Sequence, residues 1–298
     1  MILTNKYNVS EVFVTAVEND TYSKGDAHIS VTGLLSPPQM RYLLEKHDDE
    51  IEVDVSQRLA ALHGQAMHVV AERAASGNLQ LLTEKTIYTH YLGWKIKGQF
   101  DGVLIGPGIL RDLKNCKAYK VADGKIPEEW VQQTNIYKRM LQKEKGLVIN
   151  QIHVDVFIRD FSERKARTTA GYPPAPGYKI DIPVWDDDTI DAFIEERVRL
   201  HQLAEPPSCS ERDIWAKPAK WAVMKRGNVR AVRLFDNPEE AAQFASTSVA
   251  FHVEHRPGEA TRCMDHCAAA RFCSQWAADP RNIPTTPSIT ESLFDAQI

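Results

Sequence analysis

The chain reads as an α/β protein in which helices cover a central mixed sheet. Three observations predict this class. Residues 55–76, "VSQRLAALHGQAMHVVAERAAS", repeat their apolar positions at helical spacing. Three segments rich in β-branched and aromatic residues follow, separated by glycine turns. A second long helix and another alternating strand come next, and the order helix, three strands, helix, strand is that of a sheet sandwiched by helices. At 298 residues, 43% hydrophobic and 26% charged, the chain can build one substantial core and a smaller appendage.

In chain order, residues 1–54 form a mixed N-terminal extension in which "LLSPPQMRYLLEKHDDE" reads as a loop running into a short helix. The helix from 55 is stopped by Gly77, and Gly64, His68 and Glu72, four apart, share one of its faces. "LQLLTEKTIYTHYLG", "WKIKGQFDGVLIG" and, beyond Gly-Pro-Gly, "ILRDLKNCK" read as an antiparallel meander. "PEEWVQQTNIYKRMLQKEKG" has proline at its start, acids in its first turn, bases later and a closing glycine, all helix signals. "QIHVDVFIRDF" alternates as a strand, "GYKIDIPVW" adds another, and "DDDTIDAFIEERVRLHQLAE" is an amphipathic helix that closes a core spanning 55–204. Residues 205–279, with their tryptophans, basic residues and cysteines, read as a small cysteine-rich C-terminal module, and 280–298 as a mobile tail.

A net charge of −4 rules out a uniformly basic coat but leaves room for a basic groove around an acidic site. No apolar run approaches the ~20 residues of a membrane helix, and "MILTNKYNVSEVFVTAVEND" lacks a signal-peptide layout, so the expected location is the cytoplasm. Of five cysteines, three crowd into "CMDHCAAARFC", which in a reducing compartment points to a metal more than to disulfides. Cys116 reads as a small buried hydrophobe.

The hairpin "GQFDGVLIGPGILRDLKNCK" carries the chemistry. Asp112 and Lys114 share a face of their strand because strand side chains alternate with period two. With the turn centred on Pro107, facing residues sum to about 214, which sets Asp101 opposite Leu113 and diagonal to Asp112; a one-residue bulge would settle which of the two it faces. Like charges so close are unfavourable unless a cation joins them. Mg²⁺ suits two aspartates, a backbone carbonyl and an imidazole, and the lysine can then act on a metal-bound water and on charge at phosphorus.

The four motifs "GQAMH", "GQFDG", "DLK" and "QTNIY" resemble, in order and over about 55–160, the PD-(D/E)XK nuclease superfamily and its RecB-like branch. That branch includes phage recombination exonucleases and nucleases of CRISPR adaptation. The resemblance implies a restriction-endonuclease-like core in which His68, Asp101, Asp112 and the Leu113 carbonyl hold Mg²⁺ or Mn²⁺ and Lys114 is the catalytic lysine. Phe100 stands where the family name has proline. Gln133 and Tyr137 would sit beside the site and contact DNA; otherwise they are a helix-surface pair, and His68 a core histidine. Glu72 and Glu84 are candidate supports, while His63 and His90 read as structural.

Cys263, Cys267 and Cys273 supply three thiolates, with Cys209 the natural fourth and His266 an alternative, and Zn²⁺ would accept either set. The run also looks like the C-terminal cysteines of RecB-like nucleases that carry a [4Fe–4S] cluster, although its first gap is three residues where those relatives commonly have two. "WAKPAKWAVMKRGNVRAVR" offers Trp215, Lys217, Lys220, Trp221, Lys225 and Arg226 as a DNA-channel wall, or else a strand pair with tryptophan in its core. The expected function is that of a Mg²⁺- or Mn²⁺-dependent DNA nuclease, an exonuclease by preference. The resemblance implies a role in recombination, repair or replication in a bacterial or phage-infected cell, on single-stranded DNA or free ends, with a recombination or single-strand-binding partner. The alternative is a non-catalytic DNA-end scaffold with a structural metal–sulfur cluster.

Overall fold

The computed structural model describes residues 1–20, 24–75 and 81–282, so the expected tail lies almost wholly outside it. The chain divides into two units, 1–41 with 52–206 and 42–51 with 207–298.

The first unit comprises β1 (Ile2–Thr4), α1 (Glu11–Glu18), β2 (Ile29–Ser30), α2 (Val31–Leu35), the start of α3 (Pro38–Lys46), β3 (Glu52–Asp54), α4 (Val55–Ala75), β4 (Leu81–Tyr91), β5 (Trp94–Leu104), β6 (Ile109–Cys116), α5 (Glu128–Lys145), β7 (Gln151–Ile158), α6 (Glu163–Thr168), β8 (Gly177–Ile182) and α7 (Asp187–Gln202). A mixed sheet runs β2-β5-β6-β7-β8, with β4 also pairing β5. The β4-β5-β6 meander is antiparallel, whereas β6 and β7 are parallel and need the crossover that α5 provides.

β7 buries every second residue, Ile152, Val154, Val156 and Ile158, as the alternation in the sequence predicts. α5 covers the sheet with Trp130, Ile136, Tyr137, Met140 and Leu141, and α7 adds Ile190, Ile194 and Val198. A charged clip holds these elements together: Arg139 donates to both oxygens of Asp191 at 2.8 and 2.6 Å, and the Tyr91 hydroxyl donates to the same carboxylate at 2.5 Å. Among the described residues no helix is long and apolar enough to cross a membrane.

Two expectations differ from the structure. Residues 1–54 do not stand apart as an extension. Ile29–Ser30 pair in parallel with Ile96–Lys97, and the Asp54 carboxylate at the head of α4 accepts from the backbone N–H of Ser56 and of Lys6, at 3.0 and 2.7 Å. The β2–β5 pairing and the Lys6–Asp54 bond are long-range, so nothing local in the sequence marks them. The hairpin register also differs by one: Gly102 faces Arg111 and Leu104 faces Ile109, so facing numbers sum to 213. The turn therefore centres between Gly106 and Pro107.

The second unit holds β9 (Ala216–Lys217), β10 (Lys220–Lys225), β11 (Arg233–Phe235), α8 (Pro238–Ala245), β12 (Phe251–Arg256), β13 (Glu259–Ala260) and α9 (Ser274–Ala277). A sheet in the order β11-β10-β12 packs Val223 and Phe235 against Ala241, with Trp221, Phe244 and Phe251 around them. His47 stacks on Phe272 with ring centroids 4.0 Å apart, which explains why 42–51 belongs to this unit.

Gly108 is required twice over in the hairpin turn. Its φ is +67°, and a Cβ there would lie 2.5 Å from the Val148 carbonyl oxygen. Gly146, at φ +64°, has nothing within 4 Å. Gly146→Ala is expected to cost about 1 kcal/mol, the left-handed penalty alone, and Gly108→Ala clearly more, as read by urea denaturation. Equal losses would show that the turn can yield.

Candidate active site

Strand pairing brings the site together. β5 and β6 end their ladder at Gly102 and Arg111, and the next residues outward, Asp101 and Asp112, approach each other across the gap. The Asp112 side chain is 3% exposed, and the Lys114 ammonium lies 2.8 Å from its Oδ2. That contact is an ion pair but out of line for a hydrogen bond, so Asp112 Oδ2 has no hydrogen-bond donor. The Asp112/Lys114 parity read from the sequence is what the strand shows.

Asp101 accepts from the Leu113 backbone N–H at 2.6 Å through Oδ2, while its Oδ1 lies 3.4 Å from His68 Nδ1 on α4. Burial first, and the Asp112 charge second, push the Asp101 carboxyl up to about 6, against the pull of His68, the Leu113 N–H and Lys114. The two carboxylates are thus held together at an electrostatic cost.

Lys114 donates to Gln133 Oε1 at 2.8 Å, and Gln133 Nε2 donates to the Tyr137 hydroxyl at 3.0 Å. Gln133 and Tyr137 are therefore engaged with the lysine, and Tyr137 is 4% exposed. The close approach of α5 depends on Gly98, where a Cβ would come within 3.0 Å of the Tyr137 ring and 3.1 Å of Met140.

All six residues, His68, Asp101, Asp112, Lys114, Gln133 and Tyr137, line one cavity of about 260 Å³. Ser30, Thr32, Lys97 and Gln99 line it too, and sequence reasoning missed them. Lys97 and Gln99 were legible, because positions 97, 99 and 101 alternate onto one side of β5. Ser30 and Thr32 were not, since only the distant β2–β5 pairing brings them here. The side chains of Glu72 and Glu84 lie outside the described residues. His63 contacts the Asn115 amide, and His90 is exposed.

Among the described residues no three His, Cys, Asp or Glu side chains form a group that could hold a metal ion. Mg²⁺ does not need one: it is bound through one or two carboxylates and keeps several waters. Two adjacent carboxylates, one with a buried oxygen lacking a hydrogen-bond donor, are a hard-oxygen donor pair of that kind.

In the second unit, burial first pushes the Cys209 thiol up to about 12, and nearby Asp213, Cys273, Cys263 and Cys267 add to it. Cys263 is pushed up to about 11 by burial and then by Cys267 and Cys273. The four thiols thus feel one another without forming a ready-made cage. Gln275 bridges to the Cys209 backbone, accepting at 2.8 Å and donating at 2.7 Å. The His266 ring lies edge-on to Trp215, with centroids 5.3 Å apart.

In the basic run, Lys217 pairs with Glu259 at 2.6 Å, Lys220 pairs with Asp236, and Trp221 packs on the small core of its own sheet. Trp215 is exposed with Arg262 over its ring at 4.2 Å, and Lys225 and Arg226 are exposed.

Neither a protein-family model nor a curated protein matches the chain. Among solved structures, it is similar to that of SSO0001, at 20% identity, 64% of this chain, 86% of that one and a TM-score of 0.44. It is also similar to a protein of Eubacterium rectale named "Putative exonuclease", at 12% identity, 58% of this chain, 68% of that one and a TM-score of 0.30. Both likenesses are too slight to carry a conclusion about this chain.

With a folded pKa of about 6 against an unfolded value near 4, Asp101 holds a proton in the native state that the unfolded chain releases. Its contribution to stability therefore becomes less favourable as pH rises through that window. In EDTA, ¹³C carboxyl NMR is expected to show Asp101 titrating near pH 6, and Asp112→Asn to lower that midpoint. A normal midpoint in the wild-type protein would show that the carboxylates do not feel each other.

Proposed function

We propose that this chain is a divalent-metal-dependent DNA nuclease built on a restriction-endonuclease-like core. The observation that carries the reading is two carboxylates side by side, one of them 3% exposed, with a lysine ammonium 2.8 Å from the buried one. A stability-driven hairpin has no use for such a pair. Asp101, Asp112, the Leu113 carbonyl and His68 would hold Mg²⁺ or Mn²⁺, which supplies Lewis-acid stabilisation of the phosphorane-like charge and a more acidic water.

The chain's own residues supply the rest. Lys114 carries the positive charge that can stabilise an oxygen on phosphorus or orient the attacking water. Gln133 accepts from that ammonium and fixes its direction, and Tyr137 fixes the amide in turn. Lys97, Ser30 and Thr32, on the same cavity, are suited to the remaining phosphate oxygens. The ordered "GQAMH", "GQFDG", "DLK" and "QTNIY" motifs support the same chemistry and the assignment of DNA as substrate. Cys209, Cys263, Cys267 and Cys273 are proposed to hold a [4Fe–4S] cluster or Zn²⁺ in the second unit.

On linear single- and double-stranded DNA, the wild-type protein is expected to degrade DNA with Mg²⁺ or Mn²⁺ and not with EDTA. Lys114→Ala and Asp112→Asn should each lower the rate by at least about a hundredfold while leaving the fold intact by circular dichroism. Undiminished cutting by purified Lys114→Ala protein would sink the mechanism. Metal analysis of anaerobically purified protein should return iron with labile sulfide; zinc alone would reassign the cysteine site, and neither metal would remove it.

A further inference from the structure

A second cavity, of about 560 Å³, meets the first at the two carboxylates, since Asp101 and Asp112 line both. Its character is different. Leu81, Leu104, Leu113, Phe157 and Tyr178 give it apolar and aromatic walls. Strand parity explains the contrast: on β6, Arg111 and Leu113 face the side opposite to Asp112 and Lys114, and Phe157 of β7, opposite Asn115, lies on the Leu113 side.

Charge decides what such a cavity can take. Of the two cations among its described lining residues, Arg111 is already held by Asp155, at 2.8 Å from Nε and 2.7 Å from the terminal nitrogen. Lys179 is likewise engaged, 3.1 Å from Asp181, so among the described residues the lining has no uncommitted cation to offset the carboxylates and an anion is poorly served here. A flat, uncharged ring is well served, because every nucleobase has a π-face that stacks on aromatic side chains. The volume falls within the range of small-molecule sites. A phosphate bound in the polar cavity is joined through a single sugar to a base, and the adjoining apolar cavity is where that base can go.

We propose that this larger cavity is a nucleobase pocket, and therefore that the substrate is a DNA strand whose nucleotide at the cut is unpaired; the proposal rests on the nuclease reading. A base inside a duplex is stacked and paired and cannot reach the pocket without first leaving the helix. Single strands, overhangs and frayed ends present it at no such cost.

The test is binding, which does not depend on cutting. Oligonucleotides carrying 2-aminopurine, single-stranded or in a blunt duplex, would be titrated with protein in Ca²⁺ and followed by 2-aminopurine fluorescence. The wild-type protein is expected to bind the single strand more tightly and to raise its fluorescence as the base leaves its neighbours. Phe157→Ala, which removes a wall, and Thr83→Trp, which fills the cavity from β4, should each weaken single-strand binding about tenfold and leave duplex binding within about twofold.

Thermal melts of both variants guard against misfolding, and two opposite changes of volume must act alike. Wild-type affinity in both variants, or no fluorescence change with the wild-type protein, would overturn the pocket. If Mg²⁺-dependent cutting persists alongside that result, the nuclease reading survives its loss. Binding as expected from a protein that never cuts would remove the nuclease reading and keep the pocket.

Discussion

Two carboxylates that face each other away from water repel, and the first unit is arranged so that they nevertheless stay in place. The Leu113 N–H takes one oxygen of Asp101, His68 approaches the other from α4, and Lys114 sits against Asp112. These neighbours do not offset burial and the Asp112 charge together, since the Asp101 carboxyl is still pushed up to about 6, by burial first. A site that keeps this imbalance favours whatever cation can enter it. The rest follows from holding that arrangement rigid: a parallel β6–β7 pair beneath it, the α5 crossover that such a pair requires, and a Gln133–Tyr137 line from the crossover helix back to the lysine.

How far the sequence carried depended on the range of each interaction. Period-two alternation put Asp112 and Lys114 on one face, and helix signals bounded α5 as it is found, closing on Gly146 in the left-handed conformation. Both are local rules. The hairpin register was off by one because the turn centre could not be read from Gly-Pro-Gly alone, and a shift of one residue decides whether Asp101 faces Leu113 or Asp112. Ser30 ends a two-residue strand that pairs with β5 across more than sixty residues of chain, and Thr32 follows it in the first turn of α2, a placement no local pattern encodes. Lys97 and Gln99 follow from the same parity, four and two residues before Asp101 on β5.

The second unit was harder to read for a different reason. Composition marked its tryptophans, bases and cysteines, but composition does not say which charges are spent inside the fold. Lys217 and Lys220 are paired with acids, and Trp221 belongs to a small core, so only part of the basic run is free to meet a partner. Among the described residues the cysteines form no ready metal cage, and Gln275 ties the Cys209 backbone from far along the chain.

Gly98 has no functional group, yet the lysine's orientation passes through it. The Tyr137 ring rests 3.0 Å from where its Cβ would be, and that ring is tied through Gln133 to Lys114. Met140 could bend aside to accommodate a methyl group; the tethered ring has less freedom. A residue chosen for emptiness thus sets the spacing between two layers, and a screen scoring only the output of the site would rank it beside the carboxylates. Importance in this molecule is partly a matter of vacancy, written at positions where chemistry alone would never look.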